Sequence, residues 1–262
     1  MGNTKQSAKI TKLSLKLDGL ADDFNLDKAS SFHGVLMELI DSEYADVLHQ
    51  QGLKPFSQYL QSTEGTVIWN ICTLSDQAYQ RIILPFLDDN LTEFKLKHDN
   101  KIIKIIDKKI EETFIDDLFN EFYTENAADI FRIEFITPTA FKKDGKYCFY
   151  PEIYNIYQSL MRRFDEVSDR GNMFNQDTLD QLSDSTEIVG YFLHSVRFGL
   201  EGMKIPAFMG SITIKIHGTQ TMSNFAKLLF EFGNYSGVGI KTAMGMGSVI
   251  ITEKRRGKND RT

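Results

Sequence analysis

Eleven residues near the C-terminus, from Gly237 to Gly247, constrain this chain more than any other stretch: they read Gly-Val-Gly-Ile-Lys-Thr-Ala-Met-Gly-Met-Gly. The glycines fall in two pairs, Gly237/Gly239 and Gly245/Gly247. Glycine loses more backbone entropy on folding than any other residue, so this density points to left-handed dihedrals or to a backbone that a ligand approaches closely. Upstream, Met222, Phe225, Leu228, Leu229 and Phe232 recur at helical spacing, and downstream Ser248 to Thr252 reads as a strand. The order is therefore helix, glycine loop, strand. A dinucleotide fingerprint runs strand, loop, helix, with a third glycine three residues after the second; Thr242 and Ile250 stand at those places. No Gly-Lys-Ser/Thr follows at the offset of a P-loop, so nucleotide-binding folds are excluded. The backbone N–H groups of such a loop can form a concave anion site, and Lys241 sets a cation at its tip.

With 262 residues, 42% of them hydrophobic, the chain can build one large or two ordinary domains. No apolar run reaches the length of a membrane span and the start lacks a signal-peptide core, so no membrane association and a cytoplasmic location are expected. Cys72 and Cys148 lie too far apart to suggest a disulfide framework or a metal spacing, and neither metal nor cofactor is expected. The net charge of −6 argues mildly against a nucleic-acid partner. Its distribution softens that: residues 1–125 hold 13 Lys/Arg against 21 Asp/Glu, and residues 126–262 hold 17 against 15. An RNA-binding face would lie mainly on the second half. Residues 255–262 read as a basic, disordered tail.

In the first half, Ile10 to Leu17 alternates as a half-buried strand. Asp27 is positioned to cap a helix whose apolar stripe is Phe32, Val35, Leu36, Leu39 and Ile40, with His33 at the stripe's edge. A second helix, Glu43 to His49, leads to the breakers Gly52 and Pro55. A hairpin over 56–61 and 66–73, a helix from Ser75 to Leu87, and strands over 94–97 and 102–108 follow, with His98 on the polar turn between the last two. In the second half come a strand over 130–136 ending in Thr137-Pro138-Thr139-Ala140-Phe141, a short strand over 147–150, and a helix opened by Pro151 and running to about Val167. A short helix near Leu179 and strands over 188–200 and 208–217 complete it. His194 shares a face with Phe192, Val196 and Phe198, which predicts a packed side chain; His217, beside Lys215, is expected in solvent. These periods give an α+β fold.

A C-terminal helix, the G-x-G-x5-G-x-G loop and a final short strand resemble the glycine-rich loop of the RAMP superfamily of CRISPR-associated RNA-binding proteins. More narrowly they resemble the Cas-six family, endoribonucleases that cut CRISPR precursor transcripts within their repeats. Three other places are similar: Leu48-His49-x4-Lys54-Pro55-Phe56-Ser57, the strand end Thr137-Pro138-x-x-Phe141, and Ser159-Leu160-x-x-Arg163-Phe164. The resemblance covers nearly the whole chain. It implies two tandem ferredoxin-like (RRM-like) units side by side, over 1–125 and 126–254. It also implies His49 and Lys54 as catalytic residues. A tyrosine that some members carry on the first helix is matched here by Met37, and His33, one turn earlier, is its natural substitute. Gly237, Gly239, Lys241, Gly245 and Gly247 are then expected to bind RNA. The implied reaction is metal-independent: the ribose 2′-OH attacks its own phosphorus, leaving a 2′,3′-cyclic phosphate and a 5′-OH. The implied partner is CRISPR repeat RNA, with the cut product handed to an effector complex by a monomer or homodimer. The alternative is a non-catalytic RAMP-type subunit that holds RNA inside such a complex.

Overall fold

The computed structural model describes residues 8–20, 23–50, 52–97, 99–168 and 173–254. The expectations for His98 and for the tail 255–262 lie outside the described residues.

The first half begins with β1 (Lys9–Asp18), α1 (Ala29–Leu39) and α2 (Ser42–His49). The hairpin β2 (Phe56–Thr63) and β3 (Thr66–Thr73) follows. A helix capped by Ser75 comes next, as α3 (Asp76–Ala78), a π turn (Tyr79–Ile83) and α4 (Leu84–Phe86). Pro85 explains the π turn, because a residue without an N–H forces the ladder to slip one register ahead of it. Then come β4 (Glu93–Leu96), β5 (Lys101–Phe114) and α5 (Ile115–Thr124). The antiparallel sheet order is β2-β3-β1-β5-β4. The capping side chain is that of Asn25, which accepts from the Asp27 N–H at the head of a 3-10 turn (Leu26–Lys28) leading into α1, rather than that of Asp27. Two elements extend beyond the sequence pattern. β5 continues through the charged run to Phe114 because it pairs with β1 from Lys104 to Phe114, and α5 buries Ile115 and Leu118 against the second half.

The second half runs β6 (Ile130–Thr139), the small hairpin β7 (Phe141–Lys143) and β8 (Lys146–Cys148), and then α6 (Ile153–Val167) and α7 (Gln176–Asp184). It continues with β9 (Thr186–Leu200), β10 (Met203–Ile216), α8 (Gln220–Ser236), the glycine loop and β11 (Val249–Glu253). Its main sheet order is β11-β6-β10-β9. Without β4, the first sheet has the same order, fourth strand-first-third-second, which is that of a β-α-β-β-α-β ferredoxin-like unit. The fold is α+β with two such units. β9 and β10 meet at a two-residue turn, Glu201 and Gly202, both at positive φ. Of the connection expected over 201–206, residues 203–206 are strand instead. Pro206 pairs with Arg197 of β9, and the pairing with β6 begins only at Phe208, so the missing N–H costs no ladder bond. His194 is exposed on edge strand β9, contrary to the packed position expected; the strand finds a core at Phe198 and Leu200 near its turn, while Tyr191 and Phe192 are exposed like His194. His217 is exposed and contacts Glu187 at 3.0 Å.

Each unit has its own core, and each borrows from the other. Trp69, Phe32, Phe86 and Phe94 stack edge-on at the centre of the first. The second gathers Phe131, Phe164, Phe230 and Phe232, and includes Ile10, Leu74, Ile115 and Leu118 from the first half. Ala243 of the glycine loop returns the exchange by packing in the first core. The two units are pressed together at that loop.

Candidate active site

The loop is built by its own backbone. Val238 N–H donates to the Gly247 carbonyl at 2.8 Å, which draws the two glycine pairs together, and Thr242–Met244 turns as a single 3-10 turn at the tip. The end of β6 docks it: Gly247 N–H donates to the Pro138 carbonyl at 3.0 Å, Ile240 N–H to the Ala140 carbonyl at 3.0 Å, and Ser248 N–H to Thr137 Oγ1 at 2.9 Å. The Thr-Pro-Thr-Ala strand end is thus the loop's seat. From below, α6 holds Gly239 twice, one helical turn apart. Gly239 N–H donates to Ser159 Oγ at 2.8 Å, and Arg163 Nη2 donates to the Gly239 carbonyl at 3.2 Å.

The tip lies on the first unit. Gln58, buried on β2, donates from Nε2 to the carbonyls of Ala29 (2.8 Å) and Ala243 (3.2 Å), and its Oε1 accepts from Trp69 Nε1 at 2.9 Å. Ser57 Oγ donates to the Tyr235 carbonyl at 2.5 Å. At Gly245, φ is +101° and a Cβ would stand 2.2 Å from the Ala29 Cβ, so only glycine lets the tip close on α1. At Gly239 a Cβ would stand 2.3 Å from the Ala140 carbonyl oxygen.

Where the tip meets α1 and α2, a cleft of about 400 Å³ opens. It brings together His33, His49, Lys54, Gly239, Lys241 and Arg163 from both halves of the chain. It does not bring in Gly237, Gly245 or Gly247: these shape the loop, and their Cβ positions face protein atoms. The amides of Val238, Gly239, Ile240, Met246, Gly247 and Ser248 all donate to protein acceptors, so the loop offers an anion side-chain cations more than a backbone cradle.

His33 sits at the foot of the cleft on α1, parallel to the Phe56 ring with centroids 6.0 Å apart. Its Nδ1 is buried without a hydrogen-bond partner. Burial pulls its pKa below the usual imidazole value; the Ala243 backbone opposes this, and the neighbouring His49 and Lys54 add to it. His49 ends α2, exposed at the rim. Lys54 follows at the Pro55 turn, its ammonium bonded to the Gln50 carbonyl. Partial burial lowers its pKa, and Lys241 across the cleft lowers it further. Lys241 is exposed in the left-handed region, φ +57°, which swings its side chain off the tip. Among the described residues no Asp or Glu lines the cleft, so the side chains that meet in it are basic or neutral.

Arg163 is the member that sequence reading quoted without assigning a role. It is 4% exposed, its Nε and Nη1 are buried with no acceptor, and burial brings its pKa down to about 10. Each unmade bond of this kind costs about 1–3 kcal/mol. The signal was legible: an arginine inside the apolar stripe of Ile156, Leu160 and Phe164 on an amphipathic helix.

Twin ferredoxin-like units thus meet at a glycine loop, with a basic cleft between them. A family model described as CRISPR-associated endoribonuclease Cas6 matches residues 133–249. The CRISPR-associated endoribonuclease Cas6 of Streptococcus thermophilus is 36% identical over 230 residues, which is 87% of this chain and 93% of that protein. The protein of the same description from Mycobacterium tuberculosis is 30% identical over 257 residues, 95% of this chain and 81% of that one. The chain belongs to the Cas6 endoribonuclease family. In fold it is similar to a Cas6 product complex, with a TM-score of 0.80 at 21% identity over 94% of this chain and 100% of that one. It is similar also to Thermus thermophilus Cas6, with a TM-score of 0.70 at 21% identity over 94% and 100%.

Proposed function

We propose that this protein cuts CRISPR precursor transcripts within their repeats, without a metal ion, by attack of a ribose 2′-OH on the adjacent phosphorus. The observation that carries this reading is the cleft in which His33, His49 and Lys54 of the first unit face Lys241 of the second. The reaction needs a proton acceptor for the 2′-OH, a proton donor for the departing 5′-oxygen, and positive charge beside the phosphorane. An imidazole held below its ordinary pKa is neutral at physiological pH and can accept the 2′-OH proton, a role that suits His33. His49, at the open rim, is placed to donate to the 5′-oxygen as the P–O bond breaks. The 2′-oxygen's electron pair forms the new bond to phosphorus, the 5′-oxygen leaves with the old one, and the products are a 2′,3′-cyclic phosphate and a 5′-OH. Lys54 and Lys241 face the non-bridging oxygens. The names of the relatives support the endoribonuclease class, and the transfer of the cut RNA to an effector complex is proposed with it.

The test is cleavage of a labelled repeat RNA, transcribed from the CRISPR array of the same genome, in EDTA. A single cut is expected, absent from a substrate with 2′-deoxyribose at that position, and slowed by His49→Ala about 100-fold or more under single-turnover conditions. An EDTA-sensitive cut would remove the metal-free reaction, and a wild-type rate from His49→Ala would remove His49 from it. Tight binding with no cut would make the protein an RNA-holding subunit.

A further inference from the structure

Arg163 is a guanidinium placed where an apolar side chain would serve the core better. It lies between Leu160 and Phe164 on the buried face of α6, and among the described residues no carboxylate pairs with it. Only Nη2 is used, on the Gly239 carbonyl at 3.2 Å. Burying a charge without a partner is costly, and replacing such groups by apolar residues of like volume is commonly neutral or stabilising. What the arginine adds is a positive charge with two unused donor nitrogens, both shut off from solvent, on a residue that lines the same cleft as Lys54 and Lys241. A guanidinium edge matches the oxygens of a phosphate in pairs, which a lysine does not.

We propose that Arg163 is a phosphate-binding residue of the cleft: its guanidinium turns so that an edge with free N–H groups meets a backbone phosphate of the bound RNA, while Ser159 keeps Gly239 in place. Phosphate binding supplies the missing counter-charge. This rests on the reading of the cleft as an RNA site, and the experiment separates the two.

Wild type, Arg163→Met and Arg163→Gln are titrated with the labelled repeat RNA, 2′-deoxy at the cut, over a range of salt, and each is melted without RNA. Glutamine keeps an N–H for the Gly239 carbonyl and removes the charge. Both variants are expected to bind about tenfold or more weakly, with a salt slope lower by about 0.7–0.9. Arg163→Met is expected to melt at or above the wild-type temperature. Wild-type affinity and slope in Arg163→Gln would overturn the proposal and reduce Arg163 to a tie for the loop. If Arg163→Met melts lower, Arg163→Gln decides by the same criterion. A wild type that binds no repeat RNA would overturn the functional reading and this inference together.

Discussion

His33 holds an imidazole mostly out of water beside two other basic groups, and that has a sign in pH. Its folded pKa lies below the unfolded value of about 6.5, so between the two the unfolded chain carries more protons. Stability attributable to His33 is full above about pH 6.5 and falls as pH drops through the window down to the folded value. Urea midpoints at pH 7 and pH 5 should therefore fall further for the wild type than for His33→Gln; parallel losses would contradict the buried, neutral imidazole. Lys241 belongs to the same scale. Exposed and unneeded by the fold, its replacement by alanine should leave the melting temperature unchanged, weaken RNA binding and lower the salt slope by about 0.7–0.9, and an unaltered slope would remove it from the phosphate path. His33, His49 and Lys54 could be named through the family resemblance and Lys241 from its place in the glycine loop. Which of them share one cleft could not, since that depends on how a loop near residue 241 lands on helices two hundred residues earlier.

The elements show why the glycine loop is shaped as it is. Gly245→Ala adds a Cβ at 2.2 Å from Ala29 and fixes a left-handed dihedral on an L-residue. About 1–2 kcal/mol of backbone strain and about 1–3 kcal/mol of overpacking should together lower stability by roughly 3 kcal/mol, read as a shift in the denaturant midpoint. A loss under 1 kcal/mol would mean the tip is not closed on α1. On the far side, Lys227 of α8 meets Glu121 and Glu125 at the end of α5, at 3.2 and 2.5 Å, and Glu231 at 3.4 Å. Burial raises the Glu231 pKa to about 7 even with Lys227 opposing it. Lys227→Met leaves those carboxylates facing one another and should cost about 1–2 kcal/mol at pH 8, less at pH 5 where Glu231 is protonated. An equal cost at both pH values would argue that only packing was lost. Most strands and helices were legible in their alternation and stripes. α5 and the far end of β5 were passed over because their charged residues dominate the local composition, although Ile115, Leu118, Phe119 and Phe122 recur at helical spacing. The cap on Asn25 was missed because Asp27, nearer the helix, is an equally good capping type.

For the whole molecule, the exchange of core residues predicts linked unfolding. Ile10, Leu74, Ile115 and Leu118 sit in the second unit's core and Ala243 in the first's. We propose that the division at 125/126 separates two units of topology that melt as one. Calorimetry should give a single transition, and two resolved transitions would show the units to be independent. The twin-unit plan was readable only through family resemblance, since periodicity gives element types and leaves their pairing open.

The position of the loop in the chain has a consequence in time. His33, His49 and Lys54 are synthesised early, on a unit that can begin to fold once its last strand emerges, yet the wall facing them lies between Ser236 and Ser248. A nascent chain therefore displays its histidines before the wall that faces them exists. The glycine tip works as a latch, and the cleft comes into being only after the second unit has been made through that loop and has met the first.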